Sequence, residues 1–349
     1  MIKVLIVDDS ALVRKSLRRV LETDRELVVV GTARDGQDAL LKYRELQPDV
    51  VTMDVNMPHM DGLTSLQHLL QSDPEAKVLM VSSLTEEGAR TTLEALALGA
   101  LDFICKPGGT ISADFGSVSR ELLAKIKALS KARRRALGAR PARPRSATTT
   151  RKVVAAARKI VVIGVSTGGP KTLLEVVDRL PPTLDAAVLV VQHMPGNFTS
   201  SFAKRLNDYS PMPFKEASAG DIVEAGHGYL APGGVHMVLA PMAAGAGYRI
   251  RLTQSPSTSL FMPSVDVTME SALRHFGKGM VGVILTGMGN DGAQTMVKLH
   301  QAGGLTIAEH QSTAIVYGMP REVVERGAAD LVLPCDEIGE AIVRAVGCQ

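Results

Sequence analysis

The sequence of 349 residues has no tryptophan, and aromatic residues make up only 3% of it. Single-stranded nucleic acid is usually gripped by stacking aromatics, so that class of partner is disfavoured. The cores must be built from Val, Leu, Ile, Ala and Met, a palette that suits parallel strands buried on both faces under helices. Cysteine is scarce as well. Cys105, Cys335 and Cys348 are odd in number, far apart and outside any CxxC spacing. That excludes both a disulfide framework and a zinc site. No apolar run approaches the roughly 18 residues that span a bilayer. The opening MIKVLIVDDS reads as a short strand ending in acids rather than a signal peptide. A cytoplasmic setting without direct membrane insertion is expected.

Acids are missing from one stretch. Residues 131–159 hold eleven of the 39 basic residues and no Asp or Glu, so the formal net charge of +3 misleads. Outside that stretch 28 bases face 36 acids, a net −8. The basic pI belongs to a segment rich in Arg, Ala, Pro and Thr, which reads as a flexible linker over 129–158. A solvated linker is favoured over a nucleic-acid surface. The chain is too long for one ordinary core, and the linker divides it into expected domains over 1–128 and 159–349.

Both domains alternate strand and helix patterns, which predicts two doubly wound, mainly parallel α/β sheets. In the first, IKVLIV, LVVVGTA, DVVTM, KVLMVS and LDFI read as buried strands, and apolar spacing over Leu12, Leu17, Val20 and Leu21 reads as a helix. In the second the strands are KIVVIGV, AAVLVVQ, HMVLAP, YRIRLT, MVGVILT and GLTIAE. The Gly- and Pro-rich stretch 213–255, with GYLAPGG followed by HMVLAP, predicts a β-hairpin insertion.

Reactive groups in an open parallel sheet collect at the carboxyl ends of the strands. In the first domain Asp8 and Asp9, Asp54, Ser82 and Lys106 all fall there. Acids at strand ends can simply cap the next helix. Three carboxylates together instead favour a small, oxygen-loving cation such as Mg²⁺, and an Asp can act as phosphoryl nucleophile.

The second domain carries Gly164-x-Ser166-x-Gly168 between a strand and a helix, with Pro170 in the first helical turn. The pattern fits an exposed serine nucleophile, and it also fits a glycine turn that cradles phosphate. Serine needs an adjacent base oriented by an acid. His193 and Asp291 both lie just past strands, with His310 as rival base and Asp266 or Glu309 as rival acids. The order Ser, His, Asp differs from that of α/β-hydrolases. No helix-turn-helix pattern follows the first domain, which weighs against a DNA-binding output.

Residues 1–125, with VDDS, MDVNMPHMDG, VSSLT and CKP, resemble the receiver domain of two-component response regulators. The resemblance implies a flavodoxin-like fold and phosphorylation on Asp54. It implies Mg²⁺ held by Asp54, Asp9 and the backbone carbonyl of Asn56, with Asp8 acting through water. Ser82 and Lys106 match the switch hydroxyl and the phosphate-contacting lysine. Residues 159–346, with GVSTGGP, QHMP, LAPGGVHM, PSVDV, TGMGNDGA and VYGMP, resemble the catalytic domain of the CheB family of chemotaxis protein-glutamate methylesterases. A Rossmann-like domain is implied, with Ser166 as nucleophile, His193 as general base and Asp291 as orienting acid. Met288 matches an oxyanion-hole position acting through its backbone N–H, and Thr167 a second position near the nucleophile. Val165 stands where the family usually has Ala. The implied reaction is phosphorylation-activated hydrolysis of glutamate γ-methyl esters on chemoreceptors, with deamidation of glutamines as a related activity. A chemotaxis histidine kinase is the implied phosphodonor, Mg²⁺ serves receiver phosphorylation only, and ester hydrolysis takes no cofactor.

Overall fold

The computed structural model of the chain describes residues 1–106, 115–132, 157–243 and 247–348. Pro107 and most of the expected 129–158 linker lie outside the described residues. Two compact units separate near residue 137.

In the first unit, strands β1 (Ile2–Val7), β2 (Leu27–Ala33), β3 (Val50–Asp54), β4 (Val78–Ser82) and β5 (Asp102–Cys105) alternate with helices α1 (Ala11–Leu21), α2 (Gly36–Leu46), α3 (Gly62–Ser72), α4 (Glu86–Leu98) and α5 (Phe115–Lys131). All pairings are parallel, in the order β2-β1-β3-β4-β5. That is the flavodoxin-like order, whose switch point lies beside the first strand. Every residue of β3 and β4 is buried, whereas edge strand β2 is mostly half-exposed. Continuous aliphatic runs therefore mark the centre of the sheet. Leu17, Val20 and Leu21 of α1 face the core, but Leu12 is 64% exposed and lies off that stripe. Helix starts are capped by Ser10, Asp35, Asp61 and Thr85, each side chain accepting a backbone N–H of the first turn. Asp8 and Asp9 are not among these caps. Helix α5 continues to Lys131, past the expected boundary at 128.

The second unit is built from β6 (Ile160–Val165), α6 (Gly169–Val177), β7 (Ala187–Gln192), α7 (Gly196–Tyr209), β8 (Phe214–Glu216), β9 (Gly228–Leu230), β10 (His236–Pro241), β11 (Tyr248–Thr253), α8 (Val265–Phe276), β12 (Met280–Ile284), α9 (Ala293–Gln301), β13 (Leu305–Glu309), α10 (Met319–Glu325), β14 (Leu331–Leu333) and α11 (Cys335–Val346). Seven strands form a parallel sheet in the order β14-β13-β12-β6-β7-β9-β8. Strand β6 lies between β7 and β12, so the strand order reverses there, the switch point at whose carboxyl ends ligands bind in open parallel sheets.

The hairpin differs from expectation in its membership. It is HMVLAP with YRIRLT, as antiparallel β10 and β11. GYL of GYLAPGG is instead a parallel strand, β9, hydrogen-bonded to β7. The burial pattern gives the reason: Gly228, Tyr229 and Leu230 are all buried, as a central strand requires, whereas β11 exposes Arg249 and Arg251 around buried Ile250. Among the described residues no helix is long and apolar enough to cross a membrane.

Candidate active site and phosphoacceptor pocket

Ser166 follows β6 directly, and Val165 pairs in register with Gln192 of β7. Ser166 and His193 therefore leave adjacent strands side by side, at the roughly 5 Å spacing of a sheet. Gln192 fastens both backbones: its Nε2 donates to the Ser166 carbonyl at 3.0 Å and to the His193 carbonyl at 3.1 Å. The turn after Ser166 is made by Gly168, whose φ of 77° is left-handed and favours glycine. Ser166 itself does not adopt a positive φ. Gly287 lets the next loop close on the serine, since a Cβ there would stand 2.8 Å from Ser166 Cβ.

His193 Nε2 lies 2.8 Å from Asp291 Oδ2. The carboxylate takes three further donors: Ser264 Oγ at 2.9 Å, Val265 N–H at 2.7 Å and Asp266 N–H at 3.0 Å. These backbone donors are the first turn of α8, a natural seat for an anion. Burial alone would raise the Asp291 pKa, but His193 and the α8 N–H groups outweigh it and hold it below the usual carboxylate range. Asp291 is thus ionised at neutral pH and pins the ring proton on Nε2. His193 Nδ1 is buried and has no hydrogen-bond partner among the described residues. It is the ring nitrogen left to accept a proton. The Phe261 ring stacks on the imidazole, centroids 4.0 Å apart and planes 7° from parallel.

The rivals are engaged elsewhere. His310 Nδ1 contacts Ser312 Oγ at 2.8 Å in an exposed turn. Asp266 accepts from Thr295 N–H at 2.9 Å and Thr295 Oγ1 at 2.7 Å, while Ser264 caps α8. Glu309 lies under the site, its Oε2 accepting the Thr286 N–H at 2.7 Å. Burial pushes the Glu309 carboxyl up to about 7. His300 is paired with Asp330 at 2.9 Å.

Thr286 accepts the Ser166 N–H on its carbonyl at 3.0 Å, and its Oγ1 donates to the Thr167 carbonyl at 2.9 Å. The strand-end loops of β6 and β12 are thereby locked together. The backbone N–H groups of Thr167 and Met288 have no acceptor among the described residues. Unpaired N–H groups beside a serine hydroxyl are what a developing oxyanion requires.

In the first unit, Lys106 Nζ bridges Asp8 Oδ2 at 2.9 Å and Asp54 Oδ2 at 2.8 Å. Burial raises the Asp54 pKa against the pull of Lys106, and Asn56 N–H also favours its carboxylate. Burial would lower the Lys106 pKa, but its two carboxylates hold it above the ordinary value. Asp8 Oδ2 lacks a directed hydrogen bond despite that close ion pair. Carboxylate oxygens of Asp8, Asp9 and Asp54 lie within 4.8 Å of one another. Three clustered acids, two of them sharing one ammonium and one oxygen poorly satisfied, make an all-oxygen donor set that fits Mg²⁺. Ser82 is the exception to the convergence read from the sequence. Its Oγ receives the Thr92 hydroxyl at 2.7 Å and approaches the Gly88 carbonyl at 3.3 Å, so it is engaged with α4.

Comparison with known proteins agrees over both units. Residues 161–342 match the family model described as CheB methylesterase, and residues 4–111 match the response regulator receiver domain. The protein-glutamate methylesterase/protein-glutamine glutaminase 3 of Syntrophomonas wolfei is 49% identical over 358 residues, spanning 99% of each chain. The protein-glutamate methylesterase/protein-glutamine glutaminase of Symbiobacterium thermophilum is 50% identical, across 99% of this chain and 97% of its own. Among solved structures, the CheB methylesterase catalytic domain of Thermotoga maritima is 41% identical with a TM-score of 0.52, over 53% of this chain and 97% of that one.

Proposed function

The chain belongs to the CheB methylesterase family, and from that premise we propose that Ser166, His193 and Asp291 hydrolyse glutamate γ-methyl esters on chemoreceptors under control of Asp54 phosphorylation. The protein is a protein-glutamate methylesterase/protein-glutamine glutaminase with a receiver domain. The observation that carries the assignment of residues is the His193–Asp291 pair, with Nδ1 unpartnered just past the strand that neighbours the one before Ser166.

Ser166 Oγ attacks the ester carbonyl as His193 Nδ1 takes its proton, while Nε2–H stays bonded to Asp291. The imidazolium is stabilised by the Asp291 carboxylate, which the α8 donors keep ionised. The carbonyl oxygen becomes an oxyanion that the Thr167 and Met288 N–H groups can receive. The imidazolium then returns the proton to the leaving methoxide, and methanol departs. Water, deprotonated by Nδ1, cleaves the acyl-enzyme and restores glutamate and Ser166. A glutamine side chain follows the same course, with ammonia leaving.

In the receiver, Asp54 is the proposed phosphoacceptor. Asp8, Asp9 and Asp54, with the Asn56 carbonyl, would hold Mg²⁺, which supplies charge neutralisation for the incoming phosphoryl group. Lys106 adds a second positive group at the same carboxylate. Ser82 must release its α4 partners to reach a phosphoryl oxygen, which couples the phosphoryl group to the β4–α4 connection. A histidine kinase of a chemotaxis system is the proposed phosphodonor, and the cytoplasm the proposed location.

Serine-directed phosphonate labelling tests the site. Mass spectrometry is expected to find one adduct, on Ser166, formed far more slowly in His193→Gln. An adduct on another residue overturns the assignment.

A further inference from the structure

The dyad of His193 and Asp291 is not self-supporting. Both partners lean on one segment, residues 256–266, that follows the hairpin. Its Phe261 stacks on the His193 ring. Its Ser264, Val265 and Asp266 give three of the four donors to Asp291. Something has to hold this segment, and the structure shows what does. His236, first residue of β10, is fully buried and contacts the segment twice. Its Nε2 lies 3.2 Å from the Pro256 carbonyl, and its Nδ1 accepts the Ser264 N–H at 3.1 Å. Those partners fix the tautomer: a carbonyl demands Nε2–H, and an N–H demands a bare Nδ1. Gly234 N–H adds a bond to the Met262 carbonyl at 3.0 Å.

We propose that His236 is a positioning residue for the His193–Asp291 dyad, acting through the bond from Ser264 N–H to its Nδ1. The inference rests on the reading of the site given above. Ser264 is the link that matters, because its backbone is held by His236 while its hydroxyl reaches Asp291. A shift at Ser264 therefore moves the donors to Asp291 and, along the same segment, the ring under His193. His236 touches no reacting atom, so its loss lowers kcat by misplacing the dyad and leaves KM nearly unchanged. A displacement of about 1 Å in a catalytic group can lower rate about 100-fold.

Two substitutions separate this role from plain core packing. His236→Asn keeps an acceptor near the Nδ1 position and loses the Pro256 bond. His236→Gln keeps a donor near the Nε2 position and loses the Ser264 bond. Steady-state ester hydrolysis by the full chain is expected to give a kcat at least fivefold higher for His236→Asn than for His236→Gln, with KM within twofold. A second readout does not depend on turnover. The His193 Nε2 proton, followed by ¹⁵N-edited NMR, is expected to keep its wild-type resonance in His236→Asn and to move in His236→Gln. Equal kcat in the two variants, or an unmoved His193 resonance in His236→Gln, overturns the inference. Should the Gln variant fail to fold, His236→Asn alone decides, since a shifted His193 resonance there contradicts the role given to Ser264. A wild-type protein without esterase activity would sink the reading of the site, while the resonance still tests the positioning.

Discussion

Asp291→Asn is the substitution whose outcome the geometry constrains most tightly. Each carboxylate oxygen takes two donors, His193 Nε2 and Val265 N–H on Oδ2, Ser264 Oγ and Asp266 N–H on Oδ1. An asparagine offers one oxygen and one NH₂. Turned one way, its NH₂ meets the Asp266 N–H; turned the other, it meets the Val265 N–H and donates to His193 Nε2. The second arrangement drives the ring proton onto Nδ1, which then presents a donor to Ser166 and cannot act as base. The first keeps the tautomer but removes the negative charge that stabilises the imidazolium. In a serine-protease triad the same change lowers kcat about 10⁴-fold. About 10³–10⁴ is expected here, or roughly 4–5.5 kcal/mol of barrier at 1.36 kcal/mol per decade. The opposed N–H groups should also destabilise the fold by about 1–3 kcal/mol. Acyl-enzyme formation with an activated ester, alongside a thermal melt, measures both effects. More than a tenth of wild-type activity in Asp291→Asn would refute the reasoning, because neither orientation of the amide then disables the dyad.

Four further outcomes follow from the same structure. Ser166→Ala should lose nearly all hydrolysis while receiver phosphorylation persists, since loss of a nucleophile leaves only binding and oxyanion assistance. His193→Gln should match it, whereas His310→Gln should stay within a few-fold of wild type in the same ester assay, its ring being occupied in an exposed turn. Chelating divalent cations should abolish phosphorylation of Asp54, read by phosphoprotein gel, and leave basal ester hydrolysis unchanged. Glu309 should make stability fall with pH: its folded pKa of about 7 lies above the ordinary glutamate value of 4.5, so the native state keeps a proton that the unfolded state has released. Between about pH 4.5 and 7 this penalty grows to the order of 3 kcal/mol, and Glu309→Gln should melt higher than wild type at pH 8 but not at pH 4.5.

Much of this architecture is legible in the sequence because central parallel strands must be aliphatic throughout. IKVLIV, DVVTM and KIVVIGV stand out for that reason, and the polar residues that end them mark both pockets. Strands β8, β9 and β14 are only three residues long, too short to show a period. GYL consequently reads as part of a hairpin when it belongs to the parallel sheet. Between Asp291 and Asp266 spacing cannot choose, since both are acids near helix starts. The decision lies in Asp266 being occupied by Thr295 while its own N–H serves Asp291. Phe261, Ser264 and His236 carry no recognisable spacing toward the dyad. Their roles arise from how one loop returns over the strand ends, and the bare ring nitrogen of His193 is visible only once Asp291 claims the other. Ser82 shows the converse: its place at a strand end is readable, but its hydrogen bond with Thr92 depends on how α4 packs.

The central claim is a receiver-controlled serine esterase acting on methylated receptors. Methanol release from methylated chemoreceptor membranes tests it most directly, with wild type, Ser166→Ala and Asp54→Asn compared with and without a small-molecule phosphodonor and Mg²⁺. The expected result is release by wild type that rises with phosphodonor, a low unresponsive rate in Asp54→Asn, and no release by Ser166→Ala. Release by Ser166→Ala at the wild-type rate, or the same phosphodonor response in Asp54→Asn as in wild type, would contradict the account.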